Sequence, residues 1–202
     1  MSSRQLRLLL STTFAGLALL PAIVGAGNNT FKIATVEVAV LCPLTIGGDF
    51  EAKTTTMSGD MTVGEAGAVK GTLAVDLMKL DTGISLRDRH LRTNYLEVQK
   101  GPDFAVAKLA NLKLEHLPGK GTFKALLTLH GQQHEVTGSA DVQQNGAGYR
   151  VVATFPMHIS EFQIPDPTYL GVGVKDEITI RVKLDVAPAA AAAVVTSEGG
   201  SK

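Results

Sequence analysis

The sequence predicts an all-β domain of roughly eight or nine antiparallel strands, closed as a barrel or stacked as a sandwich. Two observations lead to this prediction. Apolar and polar residues alternate through most of the chain after residue 27, which is the pattern of half-buried strands. Glycine-containing breaks separate these segments at hairpin spacing. The single cysteine, Cys42, has no partner for an internal disulfide, so core burial and strand pairing must supply the stability.

Residues 1–26 are predicted to be a cleaved signal peptide. Arg4 and Arg7 precede an apolar run over residues 8–24, and small residues close that run at Ala26. This is the order of the charged region, the apolar region and the cleavage site in a secretory signal. Polar residues, a glycine and a proline interrupt the run, so an uncleaved membrane anchor is the less favoured alternative. We therefore expect a soluble mature protein in the periplasm or outside the cell.

The charge balance indicates no strongly charged partner. The chain carries 19 basic and 19 acidic residues, and removal of residues 1–26 takes away two arginines and no acid, leaving 17 against 19. The basic residues are scattered among acids, which argues against nucleic acid and against an anionic membrane surface as partners. Residues 27–186 have the length of one domain. Residues 187–202 are rich in Ala and Gly and are predicted to be a disordered tail.

The strands can be placed along the chain from the alternation. The last is the clearest, because Ile178, Ile180, Val182 and Leu184 alternate with polar residues. A short additional strand is expected around Met61. The other predicted strands cover residues 31–41, 49–57, 69–80, 104–114, 122–130, 135–143 and 149–158, and the last covers 178–185.

One segment departs from the strand pattern and predicts a short helical crossover near residues 84–96. Ile84, Leu91 and Tyr95 recur at helical spacing. The start of this helix has three candidate capping residues, namely Asp81, Thr82 and Ser85.

The histidines do not predict a metal site. His130 and His134 lie four residues apart, but Gly131 places them around a turn between strands, where that spacing does not bring two imidazoles to one face. We expect both to face solvent, and we expect the same of His116 and His158. No nucleophile elbow and no phosphate-binding loop is present in the sequence, so no catalytic residue is predicted and the protein is not expected to be an enzyme.

The densest group of ionisable residues lies in the predicted helix and includes Arg87, Asp88 and His90. Residue type alone favours a solvated helix face with weak ion pairs. The functional alternative is a paired polar network at the mouth of a barrel, which would orient a ligand head group or hold the helix as a lid.

The side chains on the inward-facing positions are mostly of modest size, and the chain contains no Trp. A barrel of about eight strands lined in this way is either filled by its own side chains or leaves an elongated apolar cavity for one small molecule. Strand alternation gives the candidate lining residues as Phe104, Val106, Phe123, Leu127, Val151, Phe155, Ile178, Ile180 and Val182.

Several short motifs, taken in order, resemble the YceI-like family, often called polyisoprenoid-binding proteins. The segment 80–83, of sequence LDTG, is followed by Arg87-Asp88 and His90-Leu91. Three further segments resemble motifs of the family: MSG at 57–59, LTLHG at 127–131 and DEITI at 176–180. The resemblance implies a lipocalin-like extended antiparallel barrel, found in exported bacterial proteins, whose interior tunnel holds an isoprenoid chain such as a quinone tail.

The resulting expectation is an exported protein that sequesters or carries an isoprenoid or quinone-like lipid inside its barrel. Arg87, Asp88 and His90 are its expected polar ligand contacts, and no metal or resident cofactor is expected. Two alternatives remain open. One is a redox or stress-related accessory that acts beside a membrane quinone pathway with a membrane electron-transfer partner, and the other is a packed structural barrel that binds another protein. The oligomeric state stays open, with a dimer among the options.

Overall fold

The computed structural model describes residues 29–64, 69–114 and 117–189. The predicted signal peptide lies outside these residues, and so does the predicted tail from residue 190 onward. The last strand continues to Pro188, into the first residues that the sequence assigned to the tail.

The described part of the chain contains eleven strands and two short α-helices, together with short turns of 3-10 and π helix. The strands are β1 (Asn29–Pro43), β2 (Asp49–Thr54), β3 (Met57–Val63), β4 (Val69–Asp76), β5 (Val106–Leu114), β6 (Gly119–Leu129), β7 (Gln132–Asn145), β8 (Gly148–His158), β9 (Thr168–Tyr169), β10 (Val172–Gly173) and β11 (Glu177–Pro188). The helices are α1 (Ser85–His90) and α2 (Pro102–Ala105).

Neighbours along the chain pair antiparallel from β3 to β8, β11 follows β8, and β1 pairs with β11 to close the sheet. The long β1 pairs with β3 through its first residues and with β2 through its second half, so β2 and β3 occupy one position around the barrel. The result is a closed antiparallel barrel of eight strand positions. The pairing of β1 with β11, from Phe31 opposite Pro188 to Leu41 opposite Thr179, decides between the barrel and the sandwich that the sequence left open.

Alternation along each strand turns one face inward. In β6, Phe123, Ala125, Leu127 and Leu129 are buried, whereas Lys124 between them is exposed. Burial of apolar surface contributes about 25 cal/mol per Å² to folding, which fixes the register because a slip of one residue would turn the whole apolar set toward water. The predicted strands of the second half of the chain are confirmed, with bounds that differ by a few residues.

The two ends of the barrel differ in their connections. One end carries the β3–β4, β5–β6 and β7–β8 connections, whereas the other carries three long ones, over residues 44–48, 77–105 and 159–176. The second of these is the predicted helical crossover, in which α1 continues as a π-helical turn, Leu91–Tyr95. No helix in the described residues is long and apolar enough to cross a membrane.

Three boundaries of the predicted strands were wrong. The strand expected over residues 49–57 ends at Thr54, and Met57 already belongs to β3. The other two differ for local reasons. The strand expected over residues 69–80 ends at Asp76, because the Asp76 carboxylate accepts a hydrogen bond from the Met78 N–H and starts a 3-10 turn. The strand expected to begin at residue 104 begins at Val106, because Phe104 belongs to α2. None of the three predicted capping side chains caps α1, since Ile84 occupies the cap position without a side-chain hydrogen bond.

Candidate functional site

A cavity of about 660 Å³ occupies the interior of the barrel. This volume lies within the range of sites that hold small organic ligands, roughly 300 to 1,000 Å³. The cavity begins among the three long connections, which we call the mouth, and extends down to Leu112, Leu114 and Leu184. At the opposite end, which we call the floor, a second buried cluster closes the barrel and includes Phe31, Met61, Val69, Leu73, Leu184 and Val186.

The wall of the cavity is built from the inward-facing positions of the strands, so it is almost wholly aliphatic and aromatic. Alternate residues contribute, as with Val151, Ala153, Phe155 and Met157 of β8. Of the nine lining residues predicted from the sequence, those on the wall are Phe123, Leu127, Val151, Phe155, Ile178, Ile180 and Val182. Their contact with a ligand stays a prediction.

The other two predicted lining residues lie elsewhere. The Phe104 ring packs edge-on against the His130 ring, with centroids 4.7 Å apart. Val106 is the first residue of β5, and its neighbour Ala107 lines the cavity instead. The alternation was therefore assigned to the wrong face in this strand, because the segment was taken as extended from residue 104.

A bulge in β5 brings Leu112 to the wall, where alternation continued from Leu109 would have turned it outward. Asn111 has φ +54°, and the pairing with β6 shifts register between Ala110 and Lys113. Leu109 and Leu112 therefore both line the cavity although they are three residues apart. A bulge of this kind reverses the inward and outward alternation beyond it.

Two aromatic rings meet inside the barrel across a glycine. Phe123 of β6 lies opposite Gly138 of β7, and Phe155 occupies the next strand at the same level. The two rings pack edge-to-face with centroids 5.8 Å apart. A Cβ on Gly138 would lie 2.6 Å from the Phe155 Cβ and 2.7 Å from Cε1 of Phe123. The missing side chain is therefore what allows the two rings to meet.

The mouth carries the polar groups of the site. The Arg87 guanidinium lies over the Phe50 ring, 4.3 Å from its centroid, and Arg87 lines the cavity. The His90 ring also lines it and lies 5.7 Å from the ring of Tyr169, centroid to centroid. The Tyr95 hydroxyl donates a hydrogen bond to the Thr168 carbonyl at 3.1 Å, which joins the crossover to the β9–β10 hairpin.

Asp88, the third predicted polar contact, lies beside the cavity rather than in its lining. Its buried carboxylate accepts hydrogen bonds from the Thr82 N–H at 2.8 Å and the Thr82 hydroxyl at 2.7 Å, and its other oxygen lies 4.0 Å from Arg92. Burial opposes ionisation, but the Thr82 hydrogen bonds and the Arg92 charge outweigh it and hold the pKa of Asp88 below its ordinary value. Asp88 therefore fastens α1 to the preceding turn, while Arg87 and His90 face the mouth.

The expectation that His130 faces solvent was wrong. His130 is buried, with Nδ1 3.0 Å from the Phe162 carbonyl oxygen and Nε2 3.2 Å from the Glu97 carboxylate. His134 is partly buried, and its ring packs against that of Phe162 at 5.0 Å. The crossover and the segment around Phe162 cover this turn, which is a tertiary contact that sequence spacing does not reveal.

Of the two remaining histidines, His158 lies within the described residues. His158 is exposed and lies 3.1 Å from the Asp176 carboxylate, whereas His116 falls outside the described residues. The described ranges contain no group of three or more His, Cys, Asp or Glu residues arranged to hold a metal ion.

Cys42 is a buried residue of the cavity wall. Burial raises the pKa of its thiol to about 12, and the charge of Arg87 only partly offsets this effect. The thiol therefore acts as a small apolar surface at neutral pH.

Comparison with solved structures shows the same fold in three bacterial proteins. BcnA of Burkholderia cenocepacia superposes with a TM-score of 0.63 and 19% identity, covering 74% of this chain and 95% of that one. A polyisoprenoid-binding domain from Saccharophagus degradans, implicated in plant cell wall breakdown, superposes with a TM-score of 0.61 and 14% identity, covering 79% of this chain and 98% of that one. The Campylobacter jejuni YceI protein superposes with a TM-score of 0.52 and 15% identity, covering 66% of this chain and 81% of that one.

Comparison at the level of sequence gives two results. No curated protein matches the chain. The model of the YceI-like domain matches residues 30–186, which is nearly the whole described barrel. The chain therefore belongs to the YceI-like family.

Proposed function

We propose that this protein binds one isoprenoid or quinone-like lipid inside its barrel and sequesters or carries it outside the cytoplasm. The observation that carries the proposal is the apolar cavity of about 660 Å³ that runs from the mouth toward the floor. A packed structural barrel would leave no such space. The export signal predicted from Arg4, Arg7 and the apolar run supports the location.

The size of the cavity sets the scale of the ligand. Its volume of about 660 Å³ lies in the middle of the range of sites that hold small organic ligands, roughly 300 to 1,000 Å³, so it has room for a short isoprenoid chain and not only for a head group. The wall offers such a chain apolar contact along its length, and each Å² of apolar surface removed from water contributes about 25 cal/mol.

The chemistry of the mouth fits a lipid with one polar end. Arg87, His90 and Tyr169 line the cavity at the mouth, whereas the wall below is apolar. A quinone or alcohol head group would remain at the mouth with its oxygens near these donors. One structural neighbour, the Saccharophagus degradans domain, is described as polyisoprenoid-binding, which supports the ligand class.

Binding is tested by extracting the purified protein with organic solvent, analysing the extract by mass spectrometry, and measuring uptake of an added quinone. The variant Ala153→Phe fills the cavity from β8 and is expected to lower uptake at least tenfold. Val152→Phe, whose side chain is exposed on the same strand, is the matched control and is expected to bind as the unmodified protein does. Repeated absence of lipid, together with no uptake of quinone, would overturn the proposal.

The redox alternative makes a different prediction. It requires a membrane electron-transfer partner to exchange electrons with a quinone bound in the cavity, and His90 is the histidine of the cavity lining that could transfer the accompanying proton. Binding alone predicts no such exchange, in the unmodified protein or in His90→Ala. A quinone turnover that disappears in His90→Ala would favour the alternative.

A further inference from the structure

The mouth is surrounded by apolar side chains that the barrel leaves in water. Six of the seven exposed large hydrophobic residues in the described segments come from its three connections. Five of them are called the rim here: Ile46 (67% exposed), Ile84 (49%), Leu86 (43%), Tyr169 (54%) and Leu170 (86%). Val152, on the barrel wall, is 37% exposed, and Met78 of the crossover is 47% exposed. The exposed apolar surface is thus concentrated at one end of the molecule, which marks an interaction site.

The rim is continuous with the cavity. Ile84, Leu86, Tyr169 and Leu170 are exposed to solvent and also contribute to the cavity lining. Ile46 lies in the neighbouring loop, which is joined to the hairpin through the hydrogen bond from the Gly173 N–H to the Thr45 hydroxyl. A ligand that enters or leaves the cavity therefore passes the rim.

Leu170 is placed against its own backbone preference. It forms the tip of the β9–β10 hairpin with φ +51°, and Gly171 follows with φ +79°. Asn-Gly is the sequence favoured where both central residues of such a turn have positive φ, and a leucine there is sterically disfavoured. At 86% exposure it packs little against the barrel, so the fold does not account for a leucine at this position.

Two arginines of α1 lie beside the rim in sequence, and no ion pair neutralises their charge within the described residues. Arg87 and Arg89 have no carboxylate within ion-pair distance among the described residues. Asp88, which lies between them in sequence, turns its carboxylate inward to Thr82. The nearby Asp81 carboxylate accepts a hydrogen bond from the Gly83 N–H at 2.7 Å. The combination of aliphatic side chains, a tyrosine and arginines at one surface is typical of proteins that bind the interface of an anionic bilayer.

We propose that the rim docks on an anionic phospholipid bilayer, with its apolar side chains among the acyl chains and headgroups and with Arg87 and Arg89 against the phosphates. The rim combines a few exposed apolar side chains with two unpaired arginines beside it and the opening of an apolar cavity, which fits a bilayer interface better than a folded protein partner. The docked mouth opens into the membrane, so a lipid reaches the cavity without crossing water. This last step rests on the proposed function, whereas docking itself does not.

Docking on an anionic bilayer differs from the expectation drawn from the charge balance of the whole chain. The counts of basic and acidic residues describe the chain as a whole, and they argued against an anionic membrane surface. The fold gathers Arg87 and Arg89 at one end beside the exposed apolar residues, and it turns Asp88 away from them. The three connections together carry six basic and seven acidic residues, so it is these two unpaired arginines, rather than a net positive charge at the mouth, that favour an anionic surface.

The test is co-sedimentation with vesicles of phosphatidylcholine, with and without phosphatidylglycerol. We expect binding to the anionic vesicles that weakens as salt is raised. Leu170→Asn and Ile46→Asp are each expected to lower the bound fraction roughly tenfold, since they remove a side chain from the acyl region. Leu170→Asn suits the turn backbone, so its Tm should be kept or raised, and reduced docking in that variant is not a folding defect. Val152→Asp, on the barrel wall, is the control and should bind as the unmodified protein does.

A second measurement separates docking from ligand binding. Ile46 is not a lining residue, so Ile46→Asp should take up dissolved quinone normally while losing vesicle binding. Arg89→Gln should weaken binding only to vesicles that contain phosphatidylglycerol. Quinone uptake without any vesicle binding by the unmodified protein would overturn the docking inference and leave the proposed function standing. Vesicle binding without lipid uptake would overturn the proposed function and leave docking standing. If the protein instead forms a concentration-dependent dimer that Leu170→Asn dissociates, and does not bind vesicles, the rim belongs to a contact with a second copy and docking is overturned.

Discussion

The rings of Phe31 and Tyr149 pack against each other in a tilted arrangement at the floor of the barrel, with centroids 5.4 Å apart and planes inclined at 59°. Phe31 enters from β1 and Tyr149 from β8, on either side of β11. Neither residue lines the cavity. Leu184, which belongs to the same buried cluster, and Leu114, which packs against that cluster, do line it. The aromatic pair thus lies below the deepest part of the cavity and closes that end of the barrel.

Removing one ring of this pair should lengthen the cavity. We expect Tyr149→Ala to shift the preference toward longer chains in competition binding with a series of prenyl alcohols. Tyr149→Phe retains the ring and should keep the preference of the unmodified protein. The aromatic contact contributes about 1 kcal/mol beyond burial, so the Ala variant should also be less stable. An unchanged length preference in Tyr149→Ala would show that the floor lies elsewhere.

Gly138 should tolerate no side chain. In Gly138→Ala the new Cβ would lie 2.4 Å from the Thr154 carbonyl oxygen, and that backbone atom cannot move without disturbing β8. We expect a loss of about 1 to 3 kcal/mol in the free energy of unfolding, measured in urea. Thr137→Ala, at the exposed neighbouring position, should change stability by less than about 0.5 kcal/mol. Equal stability of the two variants would contradict the tight packing at Gly138.

Asp88 should make stability depend on acidic pH. Its pKa in the folded protein lies below the ordinary value of 3.8, so its contribution is complete above that pH and is lost as the pH falls through the folded pKa. We expect Asp88→Asn to cost about 1 to 3 kcal/mol at pH 7, because hydrogen bonds to a buried charged group are lost.

The pH dependence supplies the control for this prediction. The stability difference between the unmodified protein and Asp88→Asn should shrink as the pH is lowered through the folded pKa of Asp88. Thermal unfolding of both proteins at a series of pH values measures this difference. Asp103→Asn, at an exposed position of α2, should remain within about 0.5 kcal/mol of the unmodified protein at pH 7. A difference that stays constant down to the lowest pH would mean that the charge of Asp88 contributes nothing.

Cys42 should be unreactive in the folded protein. With the pKa raised to about 12, its thiolate fraction at pH 8 is on the order of 10⁻⁴, and an aromatic disulfide reagent should react about three orders of magnitude more slowly than with a free cysteine. Denaturant should restore the ordinary rate, and Cys42→Ser should give no signal in either state. Rapid reaction without denaturant would show that solvent reaches this part of the wall.

The sequence predicted best where one physical rule acts over several consecutive residues. Alternation in β11 correctly placed Ile178, Ile180 and Val182 on one face, because burial of that face fixes the register of the whole strand. The same rule failed at Val106, since α2 displaced the start of β5, and again beyond Asn111, where a bulge reverses the alternation. Such irregularities depend on neighbouring strands rather than on local composition.

The polar residues show a similar division. The sequence drew attention to Arg87 and His90, which line the mouth, but grouped them with Asp88, whose carboxylate bonds to Thr82. It also left His130 on the surface, whereas Glu97 and Phe162, more than thirty positions away in either direction, enclose it. Pairs so distant in sequence leave no periodic signal.

By itself, the sequence determined the all-β class, the approximate order of the strands and the family, because alternation, turn residues and short motifs are local properties of the chain. Only the tertiary structure decided that β1 meets β11 to close a barrel and that the interior stays open as a cavity. It also gathered the rim around the mouth. Closure and cavity volume depend on how strands far apart in sequence pack together, and that packing is a sum over many contacts that no single segment encodes.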